Sequence, residues 1–191
     1  YGVLSDADSY GKGFRLFDWR IGESITMMGR KVLEFTMEQV IEKFEERGYD
    51  AYPAGGDTDS VVAAVPDAND QEELLDIAHE IAEEVNDEYP EFTEEEFNTS
   101  ENYMEVEVES LADKLFIPHG ATTKTPKKRY AQKIIWDDDD GWDTDETKIT
   151  GLEYVRSDTA EATNESQKRF VDEILSKPLG EAKESYYEWL N

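Results

Sequence analysis

The stretch Gly-Gly-Asp-Thr-Asp-Ser-Val-Val-Ala-Ala-Val, residues 55–65, decides the interpretation of this chain. Its two glycines permit a tight turn, and the apolar run from Val61 to Val65 is typical of a buried strand. The pattern predicts a β-hairpin whose turn presents Asp57 and Asp59 at the end of a sheet. Mg²⁺ prefers oxygen ligands such as these carboxylates. Because an Asp-x-Asp pair is also common in solvated turns, the rest of the chain has to decide between the two interpretations.

The composition is strongly acidic, with 47 Asp and Glu residues against 19 Lys and Arg and a net charge of −28. Such a charge is typical of disordered chains or of proteins that repel nucleic acid. However, 12 % aromatic residues and clear apolar periods indicate a folded chain. Molar salt shortens the Debye length to about 3 Å and screens the self-repulsion. We therefore expect adaptation to a high-salt cytoplasm; an acidic surface that mimics DNA is the alternative.

The residue inventory excludes several kinds of site. There is no cysteine, which excludes disulfides, thiolate metal sites and cysteine nucleophiles. The two histidines, His79 and His119, form no zinc-binding pattern. No run of about 18 apolar residues and no signal peptide is visible, so we expect a cytoplasmic protein without a membrane partner. A chain of 191 residues can form one domain with a core, or one domain and part of another.

Two long helices are predicted in the first half of the chain. Apolar residues at helical spacing predict the first at residues 22–47, ended by Gly48. Gly29 within it either weakens this helix or marks a close approach to another element. Asn69 or Asp70 is expected to cap the second. Its predicted inner face comprises Leu74, Leu75, Ile77, Ala78, Ile81, Ala82 and Val85. A Glu-rich connection is expected to follow, up to Asn102.

Strands are predicted mainly in the second half. Residues 104–109 alternate strictly between apolar and acidic, which predicts a strand with one buried face. Residues 130–136 and 149–157 are predicted to form two further strands, joined by a solvated acidic hairpin tip. An EF-hand calcium loop is excluded there, because Trp136 and Thr147 would occupy its first and last ligand positions. From Asn164 a helix is predicted, ended by Pro178.

The basic residues are unevenly distributed. No Lys or Arg occurs between Gly48 and Asp113, and no Asp or Glu between Lys114 and Trp136. The second stretch contains Lys114, Lys124, Lys127, Lys128, Arg129 and Lys133. Because Lys and Arg neutralise phosphates, we interpret the stretch as a phosphate-contacting surface, to which Tyr130 adds a sugar or base contact. Pairing with the acidic helix is the alternative.

Short motifs follow one another in a fixed order. They are Tyr1-Gly2, Arg15-Leu16-Phe17, Gly29-Arg30, residues 56–60, residues 127–131 and residues 151–158. Together they resemble the C-terminal half of the catalytic region of family B DNA polymerases over residues 1–175, and the acidic surface is similar to that of a haloarchaeal version. The resemblance implies a DNA-directed DNA polymerase that transfers nucleotides with two Mg²⁺ ions.

The resemblance also implies roles for individual residues. Asp59 would bind the catalytic metals, Asp57 would be a neighbouring acid with a less direct role, and an aspartate outside this chain would complete the site. Tyr1 and Gly2 would lie beside the nascent base pair, and Lys128 would reach the minor groove near the primer end. The implied DNA-binding residues are Lys127, Lys128, Arg129, Tyr130, Arg156 and Ser157.

The implied fold is α+β, an antiparallel palm-like sheet with packed helices followed by the start of a helical thumb. Residues 1–20 would end the fingers and start the palm, residues 21–158 would form the palm, and residues 159–191 would begin the thumb. The implied partners are primer–template DNA, deoxynucleoside triphosphates, the N-terminal part of the same polymerase and a sliding clamp.

Two departures from the family pattern bear on activity. Gly55 stands where the family usually has a tyrosine, and Pro53 and Ala54 interrupt the strand. Because proline cannot donate to a ladder, this strand is predicted to be short, at an edge, or bulged. In the family, the aspartate of the first motif and the lysine of the fingers lie upstream of the region that this chain resembles. We therefore expect that the 191-residue chain alone does not polymerise nucleotides. A non-catalytic DNA-binding or scaffold module, and an acidic interaction protein with chance matches, are the alternatives.

Overall fold

Helices and antiparallel strands both occur in a computed structural model that describes residues 18–56, 59–118, 129–142, 144, 146–152 and 161–190. Four helices and five strands lie within these ranges. The residues divide into two compact units, Tyr1–Glu107 and Val108–Asn191, and both combine helices with an antiparallel sheet. The α+β fold class is therefore confirmed, whereas the domain boundaries at 20/21 and 158/159 stay predictions.

The first helix, α1, spans Trp19–Glu46 and begins slightly earlier than predicted. Asp18 caps its start, because its carboxylate accepts a hydrogen bond from the backbone N–H of Arg20 at 3.0 Å. Gly48 follows its last turn with a φ of +87° and donates its N–H to the carbonyl of Glu45 at 2.9 Å. This left-handed position is one that glycine adopts without strain, so Gly48 ends the helix as predicted.

The second helix, α2, spans Gln71–Phe97 and is capped by Asp70. Its expected end near Val85 is wrong, since the helix continues through Pro90 and the Glu-rich region. The continuation buries Tyr89 and Thr93. Proline removes one helical hydrogen bond, but packing of these side chains on the core outweighs that loss. The predicted connection is therefore the last third of a long helix.

The helices α1 and α2 pack side by side. The hydroxyls of Thr36 and Tyr89 are 2.7 Å apart in the buried interface, and burial raises the pKa of Tyr89. Phe35 stacks on Phe92 with ring centroids 4.2 Å apart. Partly buried residues from both helices surround the core of this unit, which comprises Phe44, Ala51, Ile81, Val85 and Tyr89.

Ion pairs show that α1 and α2 run in opposite directions. Successive basic residues of α1 contact acids placed successively earlier in α2. The pairs are Lys31 with Glu96, Lys43 with Glu88 and Arg47 with Glu84. The hydrogen bond to Glu88 raises the pKa of Lys43, and the hydrogen bond from Arg47 lowers the pKa of Glu84. Lys31 and Lys43 lie in α1 and Arg47 directly follows it, in line with the absence of Lys and Arg from residues 49–113.

Residues 104–109 do not form a strand, so that prediction is wrong. Their burial does alternate as the pattern implied, with the apolar residues half-buried and the glutamates exposed. The side chain of Asn86 replaces a partner strand: it accepts from the N–H of Val106 at 2.8 Å and donates to its carbonyl at 2.9 Å. A helix side chain thus satisfies the backbone of an extended segment.

Strands β1 (Tyr52–Gly56) and β2 (Val61–Ala64) pair antiparallel in the first unit. The second unit contains a three-stranded antiparallel sheet of β3 (Ser110–Phe116), β4 (Tyr130–Asp137) and β5 (Glu146–Thr150), with β4 in the centre. The strand predicted at 130–136 is confirmed. The strand predicted at 149–157 begins earlier, and residues 153–157 lie outside the described residues. No strand was predicted at β3.

Two helices follow the second sheet. Helix α3 spans Glu161–Ser176, which confirms the predicted helix, and α4 spans Leu179–Leu190. Helix α4 was not predicted; Pro178 ends α3 and accepts the first hydrogen bond of α4, from Ala182 at 2.9 Å. The buried residues between sheet and helices are Ala131, Leu152, Val171 and Leu175. No helix in the described ranges has the length and apolar character to cross a bilayer.

A buried carboxylate ties α3 to its surroundings. The side chain of Glu173 is 5 % exposed and lies 2.6 Å from both Arg169 and Lys177. Lys177 also donates to the hydroxyl of Ser185 on α4 at 2.9 Å. The hydrogen bond from Lys177 is the main reason why the pKa of Glu173 is lowered. Glu173 is therefore held as an anion in the folded unit.

Candidate metal and nucleic-acid site

The β1–β2 hairpin positions the acidic turn. Its register pairs Tyr52 with Ala64 and Gly56 with Val61, and the ladder is irregular between Pro53 and Gly55. Ala54 is an extra residue in β1 and forms a bulge. The neighbouring Pro53 has no N–H to donate to the ladder, so an irregular pairing is tolerated there. The prediction of a short, bulged strand is confirmed. Residues 59 and 60, directly before β2, are the described part of the connection between the strands.

Gly56 is needed for the close approach of the two strands at this turn. A Cβ atom at Gly56 would lie 2.9 Å from the carbonyl oxygen of Ser60, closer than such atoms can approach. At Gly55 a Cβ atom would meet nothing within 4 Å among the described surroundings. The two glycines therefore differ: Gly56 permits the hairpin, and Gly55 has open space around its Cα among the described residues.

Asp59 lies in the turn and is exposed. Asp57, the other predicted ligand, lies outside the described residues. Within the described ranges there is no group of three or more His, Asp or Glu side chains able to hold a metal ion. The described part of the turn thus provides one accessible carboxylate, which is a partial donor set for a hard cation.

Strand β4 begins at the predicted basic surface. Arg129 precedes the strand and Tyr130 opens it, paired with Thr150. Because neighbouring strand residues point to opposite faces and Ala131 is buried against α3, Tyr130 faces away from that helix. It is half-buried. Lys127 and Lys128 lie outside the described residues.

Lys114 and Lys133 have a different environment from the one expected of phosphate contacts. They pair directly across β3 and β4, on the face that carries Ala131. The ammonium group of Lys114 donates to the carbonyl of Lys177 at 3.1 Å, just beyond the end of α3. Lys114 therefore satisfies a helix-end carbonyl, a structural role that the sequence pattern did not reveal.

Four further predicted site residues, Tyr1, Gly2, Arg156 and Ser157, lie outside the described residues. Asp59, from the predicted metal-binding group, belongs to the first unit. Arg129 and Tyr130, from the predicted DNA-binding group, belong to the second.

Comparison with known proteins identifies the family. The family model described as DNA polymerase family B matches residues 1–189. The chain belongs to DNA polymerase family B. This family B chain is 34 % identical over 160 residues to DNA polymerase II of Escherichia coli (strain K12), a match that covers 83 % of the chain and 18 % of that protein.

Two archaeal proteins are similar to nearly the same extent. The DNA polymerases of Desulfurococcus sp. (strain Tok) and Thermococcus gorgonarius are each 32 % identical over 155 residues, covering 80 % of the family B chain and 16 % of each relative. The chain therefore spans less than a fifth of the length of these curated relatives.

The acidic tip of the β4–β5 hairpin is a second carboxylate-rich place in this family B chain, and its hydrogen bonds are internal. Asp137 accepts from the N–H groups of Asp139 and Asp140 at 3.1 and 2.7 Å and from the hydroxyl of Thr144 at 2.6 Å. The bond from Thr144 is the main reason why the pKa of Asp137 is lowered. The expected hairpin tip is confirmed, and the carboxylate of Asp137 stabilises it by accepting these three hydrogen bonds.

Proposed function

We propose that this chain supplies the palm and the first part of the thumb of a DNA-directed DNA polymerase. The observation that carries the proposal is the family B match over residues 1–189, which includes the Gly56–Ser60 turn at the end of a paired hairpin. The substrates would be primer–template DNA and deoxynucleoside triphosphates. Because the chain spans less than a fifth of its relatives, the activity would belong to a longer protein.

In this proposal Asp59 and Asp57 hold part of a two-Mg²⁺ site. The described turn fits this role in chemistry, since its exposed carboxylate is the oxygen donor that Mg²⁺ prefers, and an aspartate outside the chain would complete the set. When bound, the two ions would activate the primer hydroxyl and neutralise charge on the triphosphate. The strand pairing behind Gly56 would keep Asp59 near the end of the sheet.

The basic residues before β4 would bind the nucleic acid. Lys127, Lys128 and Arg129 would neutralise backbone phosphates. Tyr130, half-buried on the face away from α3, would contact a sugar or base. Arg156 and Ser157 would extend this contact towards the thumb, and Tyr1 with Gly2 would contact the nascent pair. The proposal includes a sliding clamp as a partner and a high-salt cytoplasm as the place where the polymerase works.

Primer extension by the full-length protein in high salt tests the metal assignment. We expect Asp59→Ala to lower extension at least about 100-fold, the order of effect seen when a group that stabilises transition-state charge is removed. Asp76→Ala, which removes an exposed acid from α2, is the matched control and should extend primers normally. Equal extension by Asp59→Ala and wild type would show that Asp59 is not a metal ligand. The 191-residue chain alone should not extend primers.

A non-catalytic DNA-binding or scaffold module is the second candidate. The observation that favours it is the irregular hairpin, in which Pro53 and Ala54 interrupt β1 and Gly55 replaces the usual tyrosine. This candidate predicts duplex binding by the full-length protein without extension. Gly55→Tyr distinguishes the two, because a Cβ atom at Gly55 meets nothing within 4 Å among the described residues. A gain in extension would indicate a weakened polymerase, and no activity in either protein would favour the module.

A further inference from the structure

The joint between α3 and α4 consists of two residues, Lys177 and Pro178, and the first of them contacts three elements. The ammonium group of Lys177 lies 2.6 Å from the carboxylate of Glu173 on α3 and donates to the hydroxyl of Ser185 on α4 at 2.9 Å. The carbonyl of Lys177 accepts from the ammonium group of Lys114 on β3 at 3.1 Å. One residue therefore ties two helices and a strand together.

The backbone of this joint has little freedom of its own. Proline fixes its own φ at about −65° and restricts the residue before it. The N–H of Lys177 donates to the carbonyl of Glu173 at 3.1 Å, and the carbonyl of Pro178 accepts from Ala182 at 2.9 Å. The ψ angle of Lys177 is therefore the main torsion that decides the direction of α4. Because rotation about ψ moves the carbonyl oxygen, the hydrogen bond from Lys114 restrains this torsion directly.

Apolar packing holds α3 more strongly than α4. Val171 and Leu175 of α3 are buried against the sheet at Ala131. Of the described side chains of α4, Ala182 alone is buried, and the half-buried ring of Tyr186 adds an edge contact with α3. Hydrophobic stabilisation scales with buried apolar area, and a buried alanine supplies little of it. The placement of α4 therefore depends on the polar contacts of the joint more than that of α3 does.

The environment of Lys114 shows why its contact with the joint matters. Lys114 lies directly opposite Lys133 of β4, and both are half-buried. Like charges that face each other across two strands destabilise a sheet. The carbonyl groups at the end of α3 carry partial negative charge, which stabilises the ammonium group of Lys114 there. Because Lys114 and Tyr130 lie on opposite faces of the sheet, this link to the joint needs no contact with nucleic acid.

We propose that Lys177 is a positioning residue, which couples the direction of α4 to the three-stranded sheet and thereby sets the affinity of the polymerase for primer–template DNA. This inference rests on the proposed function, in which this sheet carries DNA-binding residues and α4 belongs to the thumb. Lys177 acts without touching the nucleic acid, by holding the two elements in one relative orientation. When the joint is released, DNA binding has to order α4 again, and this ordering lowers the affinity.

Hydrogen–deuterium exchange of the α4 backbone in the full-length protein tests the joint. Lys177→Met removes both ammonium contacts, and Ser185→Ala removes only the contact with α4. We expect α4 to exchange at least about tenfold faster in both variants than in wild type, because a hydrogen bond to a charged group is lost. Lys177→Arg should keep the slow exchange. Lys183→Met, at an exposed position of α4, is the matched control, and peptides from β4 report whether the second unit is folded.

Primer–template binding by the same variants, measured by fluorescence anisotropy, tests the coupling to DNA. Lys177→Met should raise Kd at least about fivefold, the lower end of coupling between separate sites. The amplitude at saturation and the slope of log K against log salt should match those of wild type, since no phosphate contact is lost. A merely structural residue would instead lower the amplitude, because part of the protein would be unfolded, and leave Kd unchanged. Lys177→Arg should restore the wild-type Kd.

The other outcomes overturn the proposal. Equal exchange of α4 in wild type, Lys177→Met and Ser185→Ala would show that the joint does not hold the helix, and faster exchange with an unchanged Kd would remove the coupling to DNA. A shallower salt slope would make Lys177 a phosphate contact. Equal effects of Lys177→Met and Lys183→Met would indicate a general effect of charge. Because neither measurement uses primer extension, a protein that shows both effects but does not extend primers would refute the polymerase proposal alone.

Discussion

At the scale of single residues, the two glycines before the acidic turn make opposite predictions. Gly56→Ala would place a Cβ atom 2.9 Å from the carbonyl oxygen of Ser60, so we expect a loss of about 1–3 kcal/mol in the free energy of unfolding. Gly55→Ala has open space and should be neutral or gain about 0.4–1 kcal/mol. Urea unfolding of both variants measures the difference. A larger loss at Gly55 than at Gly56 would contradict the hairpin register.

Lys128 gives a second prediction at this scale. If Lys128 neutralises one backbone phosphate, Lys128→Ala should weaken binding of the full-length protein to primer–template DNA of any sequence. The slope of log K against log salt should become shallower by about 0.9. Fluorescence anisotropy across a salt series measures the slope. Lys183→Ala, at an exposed position of α4, should leave it unchanged, and an unaltered slope for Lys128→Ala would exclude the phosphate contact.

Residues with a strong backbone constraint were predictable from the sequence. Pro53 predicted an irregular strand because it has no N–H to donate, and Gly48 predicted a helix end because it tolerates a left-handed conformation. The contact of Lys114 with the end of α3 was not predictable, since it joins residues 63 positions apart. The role of Gly56 required the strand register, which residue types alone do not specify.

At the scale of elements, the Glu173 cluster makes stability depend on pH. Its pKa is lower in the folded unit than the ordinary value of 4.5, so the folded state binds fewer protons than the unfolded state in that range. The resulting stabilisation is fully present above about pH 4.5 and is lost as the pH falls through the folded pKa. We expect Glu173→Gln to destabilise the second unit near neutral pH, and the difference from wild type to shrink below pH 4.5.

Urea unfolding between pH 3 and 7, followed by hydrogen exchange of peptides from α3 and α4 at each pH, tests this expectation. Glu181→Gln is the matched control, because it removes an exposed glutamate from the start of α4. A constant difference between Glu173→Gln and wild type across the pH range would show that the carboxylate charge is not what Arg169 and Lys177 stabilise.

The two wrong predictions for elements share a physical cause. The alternation at residues 104–109 correctly predicted which side chains are half-buried, but not that Asn86 of a helix would take the place of a partner strand. The Glu-rich sequence after Val85 was expected to form a connection, but burial of Tyr89 and Thr93 keeps the helix intact through Pro90. In both places tertiary contacts outweighed a local preference, and such contacts are not visible in a short sequence window.

At the scale of the whole molecule, like charges repel along the outer side of α2. A stripe of exposed acids follows the i, i+3 and i, i+4 spacing, and it comprises Asp76, Glu80, Glu83, Asp87, Glu91 and Glu94. Each such like-charge neighbour destabilises a helix by about 0.2–0.5 kcal/mol at low salt. Salt screens this repulsion.

We therefore expect the free energy of unfolding to rise when KCl is increased from 0.2 to about 2 M, because the Debye length falls to a few ångströms. A variant that combines Glu80→Gln, Glu83→Gln and Glu91→Gln should be more stable at low salt and less dependent on KCl. Denaturant unfolding at each KCl concentration is the measurement. A salt dependence identical to that of wild type would show that the acidic stripe is not its source.

The antiparallel pairing of α1 and α2 has a consequence for how such a protein can change over time. The acids that hold the helices together, Glu84, Glu88 and Glu96, are separate from the acids of the outer stripe. In the proposed high-salt setting, mutations of the outer stripe that suit a less saline environment would leave these ion pairs in place. Related proteins from environments of different salinity would then retain the paired acids Glu84, Glu88 and Glu96 and differ at the positions of the outer stripe. The two sides of one helix would therefore vary at different rates.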